Sequence, residues 1–167
     1  MANELTFEAI RGVQSRTAYY TDLVPMKMVP RLFIFDGDDL PPDLRAQRVL
    51  SKARVPQIAN YLAENWDNYI LSSLCASVDG DLTFTPASSD GALKNVGTLS
   101  FAMDARIILN DGHHRRAANE DALKTRPALE NETISVVLFA DRVLEPNKTR
   151  FAYLHKQEVG HQHAKHR

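Results

Sequence analysis

Apolar and polar positions change their spacing several times along the chain, and each change marks a different element. Up to residue 35 the apolar and aromatic residues fall in short runs, Leu5 to Ile10, Tyr19 to Val24 and Met28 to Phe35. Runs of that length between polar breaks predict strands. Asp36-Gly37-Asp38-Asp39 then reads as a turn closed by Pro41-Pro42. Its aspartates lack the remaining ligands of a calcium loop, so the turn is read as solvated.

From Asp43 the period lengthens to that of a helix. Arg45, Arg48 and Lys52 stand at i, i+3 and i+7 on one face, while Leu44 and Val49 lie elsewhere and can pack inward. A second helix is expected to begin at Pro56, a position in a first turn that suits proline, with Ile58, Leu62 and Trp66 as its buried stripe. Strand character returns at Ile70 to Val78 and, after Asp79-Gly80-Asp81, at Leu82 to Thr85; this pair predicts a hairpin. Pro86 to Asn95 reads as a loop, Thr98 to Met103 alternates, and Ala105 to Leu109 suits a central strand. Asn110-Asp111-Gly112-His113-His114-Arg115-Arg116 then runs into Ala117-Ala118 and a helix to about Thr125. A buried strand at Thr133 to Ala140 and a final helix at Asn147 to Gln157 complete the pattern, without an internal repeat. The elements predict an α/β (α+β) fold, a small mixed sheet with flanking helices.

Composition narrows the class. A chain of 167 residues that is 44% apolar is expected to form one core. The longest apolar run, Val136 to Ala140, is far short of a membrane helix, and MANELTFEAI lacks the basic start and apolar stretch of a secretory signal. A soluble cytoplasmic protein is expected. With 20 Lys+Arg against 21 Asp+Glu the chain is no polycation, so nucleic-acid binding has to come from a local basic face. By composition alone the Arg45/Arg48/Lys52 stripe reads as a solvated face. Cys75, the single cysteine, excludes an internal disulfide and reads as a small buried hydrophobe. The tract His161-x-His163-x-x-His166 superficially resembles a metal site, but 158–167 has no apolar period and reads as a disordered tail; no metal site is expected.

The chemistry concentrates where a buried strand meets an Asp-Gly turn and a helix opening with His-His-Arg-Arg. The first N–H groups of a helix have no intrahelical partner, and the dipole makes that end positive. Gly112 permits a sharp turn and close approach of a ligand, and Arg115 and Arg116 carry forked donors that match phosphate. Four cationic or ionisable side chains in the first turn oppose the dipole, a local cost that a bound anion would offset. The predicted phosphate or nucleotide site is therefore Asp111, Gly112, His113, His114, Arg115 and Arg116. Asp111 is expected to cap the helix, or to hold a metal ion or an arginine. The histidines can donate to phosphate or move a proton. The alternative is an ordinary capped helix with solvent-facing basic residues.

Asn110 to Ala118 resembles the motif of the DGQHR-domain proteins, and specifically the DndB family of the DNA sulfur modification (phosphorothioation) system. Phe7 to Gln14, Val29 to Phe33, Leu40 to Arg48, Ile58 to Leu62 and Ala76 to Asp81 are also similar to that family, in order, so the likeness runs to about Ala140. His113 stands where the motif has glutamine, and Val24 precedes Pro25 where relatives often carry cysteine. Relatives continue further, so 1–157 is expected to be the N-terminal part of a longer architecture.

The resemblance implies a protein that binds promoter DNA and represses the modification genes. It turns Arg45, Arg48, Lys52 and Arg54 into a candidate DNA-contacting surface, and duplex DNA, other sulfur-modification proteins and a second copy of the chain into candidate partners. The loop is also similar to that of ParB and sulfiredoxin, which implies a related strand–loop–helix core and a rival activity. That rival is a nucleotide hydrolase using ATP or another nucleotide with Mg2+, in which Asp111 orients metal or water, His114 assists proton transfer and Arg115 neutralises the phosphoryl group.

Overall fold

Alternation along the first two strands sets the sheet. In β1 (Glu4–Gln14) Leu5, Phe7 and Ala9 turn inward while Glu4, Thr6 and Glu8 stay exposed. In β2 (Thr17–Pro25) Tyr20, Asp22 and Val24 are buried. Ser15 and Arg16, at φ 48° and 65°, make the tight turn between them, the left-handed pair whose twist suits antiparallel strands. The coordinates are a computed structural model that describes residues 4–33 and 53–141. The Asp36–Asp39 turn, the expected helix carrying Arg45, Arg48 and Lys52, the Asn147–Gln157 helix and the 158–167 tail lie outside the described residues.

Five further strands follow: β3 (Leu74–Asp79), β4 (Thr83–Pro86), β5 (Val96–Ala102), β6 (Arg106–Asp111) and β7 (Thr133–Asp141). They form a seven-stranded sheet in the order β4-β5-β1-β2-β7-β3-β6. Every described pairing is antiparallel except β3 with β7, so the sheet is mixed. With helices α1 (Val29–Leu32), α2 (Arg54–Glu64) and α3 (His113–Thr125) the fold is α/β.

The sheet is strongly curled. Asp79 and Thr83 are four Cα–Cα links apart, at most ~15 Å. Yet β3 and β4 are five places apart in the sheet, ~24 Å if it were flat. Curling brings the two strands within reach, and the rings of Tyr20 on β2 and Phe84 on β4 meet at 5.5 Å inside the concavity. Ala9, Val24, Leu74, Leu99, Phe101, Leu109 and Val136 form the core there, closed by Met26, Val29 and Phe33.

This arrangement corrects three expectations. Leu82–Thr85 does not form a hairpin with Ile70–Val78, because β4 pairs with β5 at the opposite end of the sheet. Regular strand begins only at Leu74, and Ile70 is 87% exposed. The described part of the expected Met28–Phe35 strand is helical instead: Met26–Met28 is a 3-10 turn and Val29–Leu32 an α-turn with Pro30 in its first positions. A proline there lacks only an N–H that would have had no partner.

The second predicted helix is present but starts two residues earlier, at Arg54, and ends at Glu64 with Asn65 as its C-cap. Leu62 is buried as expected; Trp66 lies past the helix end and is exposed, its ring 5.0 Å from the Arg126 guanidinium. α2 and α3 run side by side in the same direction. Arg54 lies near His114, Ala59 and Leu62 pack with Ala118 and Ala122, and Trp66 meets Arg126. Both helices therefore start at the same end of the molecule. Alanines at i and i+4 of α3 let the two backbones approach closely.

Candidate functional site

β6 delivers Asp111 to the start of α3 through an irregularity. Ala76 lies opposite Leu109 but Cys75 lies opposite Asp111, so Asn110 is an extra residue in the ladder. Asn110 is buried and donates from Nδ2 to Ser77 Oγ at 2.7 Å, which fixes the bulge. Without it Asp111 would continue the inward face of Ile107 and Leu109; with it, Asp111 stands across from Cys75.

Gly112 is the N-cap of α3 at φ 103°, a left-handed conformation that favours glycine. It provides no side-chain cap. Of the roles expected for Asp111, the described bonds give it the arginine: its Oδ2 accepts from Arg115 Nη2 at 2.8 Å, one helical turn on. The same Nη2 donates to the Ser73 carbonyl at 3.1 Å. Arg115 is about four-fifths buried, and its Nε has no hydrogen-bond partner among the described residues. A Cβ on Gly112 would lie 2.4 Å from Leu74 Cδ2 and 3.3 Å from Arg115 Nη2, so glycine also makes room for this guanidinium.

The two arginines of the motif separate. Arg116 turns to α1: Nε donates to the Phe33 carbonyl at 2.7 Å and Nη2 to the Pro30 carbonyl at 2.8 Å, with Glu120 at 3.6 Å from Nη1. It ties the end of α1 to α3. His113 and His114, at the first two helical positions, are both half-buried.

His114 is held below the ordinary imidazole value of 6.5, first by burial and then by the positive charges of Arg54 and Arg115, with Asp111 opposing. Arg54, which the resemblance makes a candidate DNA contact beside the Arg45/Arg48/Lys52 stripe, thus acts electrostatically on the DGHHR loop. Arg45, Arg48 and Lys52 of that stripe lie outside the described residues. Cys75, half-buried beside Asp111 rather than fully buried as expected, is pushed up to about 12 by burial and by that carboxylate. No group of three or more metal-ligating side chains occurs among the described residues.

A sequence profile of the DndB family, described as DNA-sulfur modification-associated, matches residues 7–164. The chain belongs to the DndB family. The match extends beyond the Ala140 limit of the likeness seen by inspection. None of the curated proteins and none of the solved structures compared with the chain matches it. Membership associates the chain with DNA sulfur modification, and no helix among the described residues is long and apolar enough to cross a membrane.

Sequence reasoning missed the parts of the site that support Arg115: the Ser73 carbonyl, Leu74 and the neighbouring Ser73–Ser135 hydroxyl pair at 2.6 Å. Backbone acceptors leave no mark in a sequence. The spacing of Arg115 from Asp111, i and i+4, was the one available sign of their pairing.

Proposed function

We propose that this DndB-family chain is a DNA-binding regulatory protein of the phosphorothioation system. In this reading it represses transcription of the modification genes, and DNA phosphate docks at the start of α3. The supporting observation is the convergence of Arg54 from α2 with His114 and Arg115 from α3, beside the positive end of the α3 dipole. Among the described groups that act on His114, Asp111 is the one that opposes this charge, and its described bond goes to Arg115. Gly112 supplies close approach, and His113 stands at the first helical position beside it. Arg116 holds the helix start in place through α1. Arg45, Arg48 and Lys52 stand just ahead of Arg54 in the sequence and are read as further phosphate contacts.

Phosphate contacts of this kind confer affinity without sequence information and weaken steeply with salt. Arg54→Ala, at an exposed position, is expected to lower duplex affinity and to reduce the log–log salt slope by about 0.9. The paired change Arg45→Ala with Arg48→Ala is expected to lower affinity about tenfold or more at moderate salt. A fluorescence-anisotropy titration over a salt series measures both. Unchanged affinity and slope in both variants would reject the surface. The hydrolase reading predicts instead phosphate release from ATP with Mg2+ that vanishes in Arg115→Ala; such turnover would replace the regulator as the primary activity.

A further inference from the structure

We propose that the convex face of the sheet around β1 binds a second copy of this chain, giving a two-fold dimer. The inference stands apart from the docking of DNA phosphate. The inward residues of β1, β2 and β5 form the core, so Ile10, Tyr19, Leu23 and Val96 face the opposite way. Ile10 lies across from Val96 on β5 and from Thr21 on β2. Tyr19 lies across from Gly12 and from Phe139. A Cβ on Gly12 would fall 2.3 Å from the Tyr19 ring, so that ring covers the β1 backbone there, and it stacks with Phe139 at 5.9 Å. Ile10, Leu23 and Val96 remain 57%, 63% and 38% exposed in the single chain. These positions make one apolar patch across adjacent strands, of the kind that marks an interaction surface.

Charge selects the occupant. Among the described residues, Glu4 and Glu8 are the only charged side chains at outward positions of β1, β2 and β5. Depletion of charge around an apolar centre is the signature of an interface core, and two carboxylates without a cation repel a phosphate backbone. Along β1 the sign then changes. Glu4 and Glu8 precede Ile10, whereas Lys94, whose carbonyl accepts from Arg11, and Arg16 in the β1–β2 turn lie beyond it. A two-fold axis in the plane of contact, crossing β1 at Ile10, reverses the strand. It brings Glu8 of one copy towards Lys94 of the other and sets the two apolar patches face to face. The surface is thus complementary to itself, as an isologous contact requires. Thr6 and Ser100 on the same face already share a hydrogen bond, at 3.4 Å, which lowers the cost of removing them from water. Four strands, β5, β1, β2 and β7, over about seven residues give roughly 900 Å2 of flat area for the pair. That is the low end for a specific interface, so a dissociation constant on the order of micromolar is expected.

Sedimentation velocity of the full chain from about 1 to 100 μM, without DNA, tests the proposal. The wild type is expected to pass from the mass of one chain to that of two as concentration rises. Ile10→Lys and Leu23→Lys, at exposed positions, are each expected to weaken association about tenfold or more. Ile10→Thr and Leu23→Thr keep a strand-forming residue and serve should the lysines disturb the fold, which thermal melting by circular dichroism checks. Glu8→Lys and Lys94→Glu are each expected to weaken the dimer, and the two together to restore it. A wild type that stays monomeric at every concentration overturns the proposal, whether its own chain or another protein covers the face. A dimer indifferent to Ile10 and Leu23 variants overturns it as well, since association then occurs elsewhere. Absence of recovery in the Glu8/Lys94 exchange overturns the two-fold arrangement.

Discussion

Replacing Gly112 with alanine tests the geometry on which the site depends. The residue sits at φ 103°, where an L side chain is strained by ~1–3 kcal/mol. The added Cβ would also stand 2.4 Å from Leu74 Cδ2, and Leu74 is fully buried, so the methyl cannot swing into solvent. Overpacking of that kind adds ~1–3 kcal/mol. A destabilisation of about 3 kcal/mol follows, read as a lower denaturation midpoint at unchanged slope, or as a Tm roughly 6–12 °C lower for a chain of this size. Gly91→Ala is the internal control. Gly91 also has a positive φ, 69°, but nothing lies within 4 Å of its ideal Cβ, so strain alone, about 1 kcal/mol, is expected. Gly112→Ala should also weaken duplex binding beyond its effect on stability, because the Cβ would press on Arg115. A Gly112→Ala protein as stable as the Gly91→Ala protein would refute the close packing of Leu74 and Arg115 around the N-cap.

Arg116→Met keeps most of the stem but leaves the Pro30 and Phe33 carbonyls without their donors; a loss of about 2–4 kcal/mol by chemical denaturation is expected, with partial recovery in Arg116→Lys. The Cys75 thiol, at about 12, should react with a disulfide reagent at mildly alkaline pH roughly a thousandfold more slowly than a free thiol until the chain unfolds. Asp22 is buried with one oxygen accepting from the Leu23 N–H and the other without a partner among the described residues, and burial raises its pKa. A raised carboxyl favours folding while protonated, so its contribution is complete below 3.8 and is lost as pH rises through the folded value; Asp22→Asn should remove that slope in stability-versus-pH measurements and be the more stable protein at neutral pH.

Much of the sheet was legible because its strands obey a simple period. β1, β2, β5, β6 and β7 alternate or run apolar as buried strands do, and α3 follows its Asp-Gly turn where the sequence places it. What failed was long-range. Asp79-Gly80-Asp81 carries a turn signal that is the same whether the next strand folds back beside β3 or crosses to the far end of a curled sheet. Met28–Phe33 carries β-favouring side chains, yet Pro30 and the Arg116 donors that bond to its carbonyls hold it as a helical turn. Those donors lie more than eighty residues away in sequence. Within the site, the residue types were legible and their division of labour was not. Adjacent arginines on a helix point about 100° apart, so one of the pair was bound to face elsewhere, but which one depends on the position of α1.

That division gives the motif its logic. Arg116 binds the carbonyl of Phe33, the last described residue before 34–52, and Arg54, one residue after Ala53, acts on His114. Phe33 and Arg54, on either side of 34–52, therefore both interact with the first turn of α3, Phe33 through a hydrogen bond and Arg54 through its charge. Under the proposed DNA-binding function, a rigid first turn would hold Arg115 and His114 ready for a phosphodiester backbone. The bulge at Asn110, the left-handed Gly112, the Asp111–Arg115 pair and the Arg116 strut all fix that turn before any ligand arrives, so little ordering entropy remains to be lost on binding.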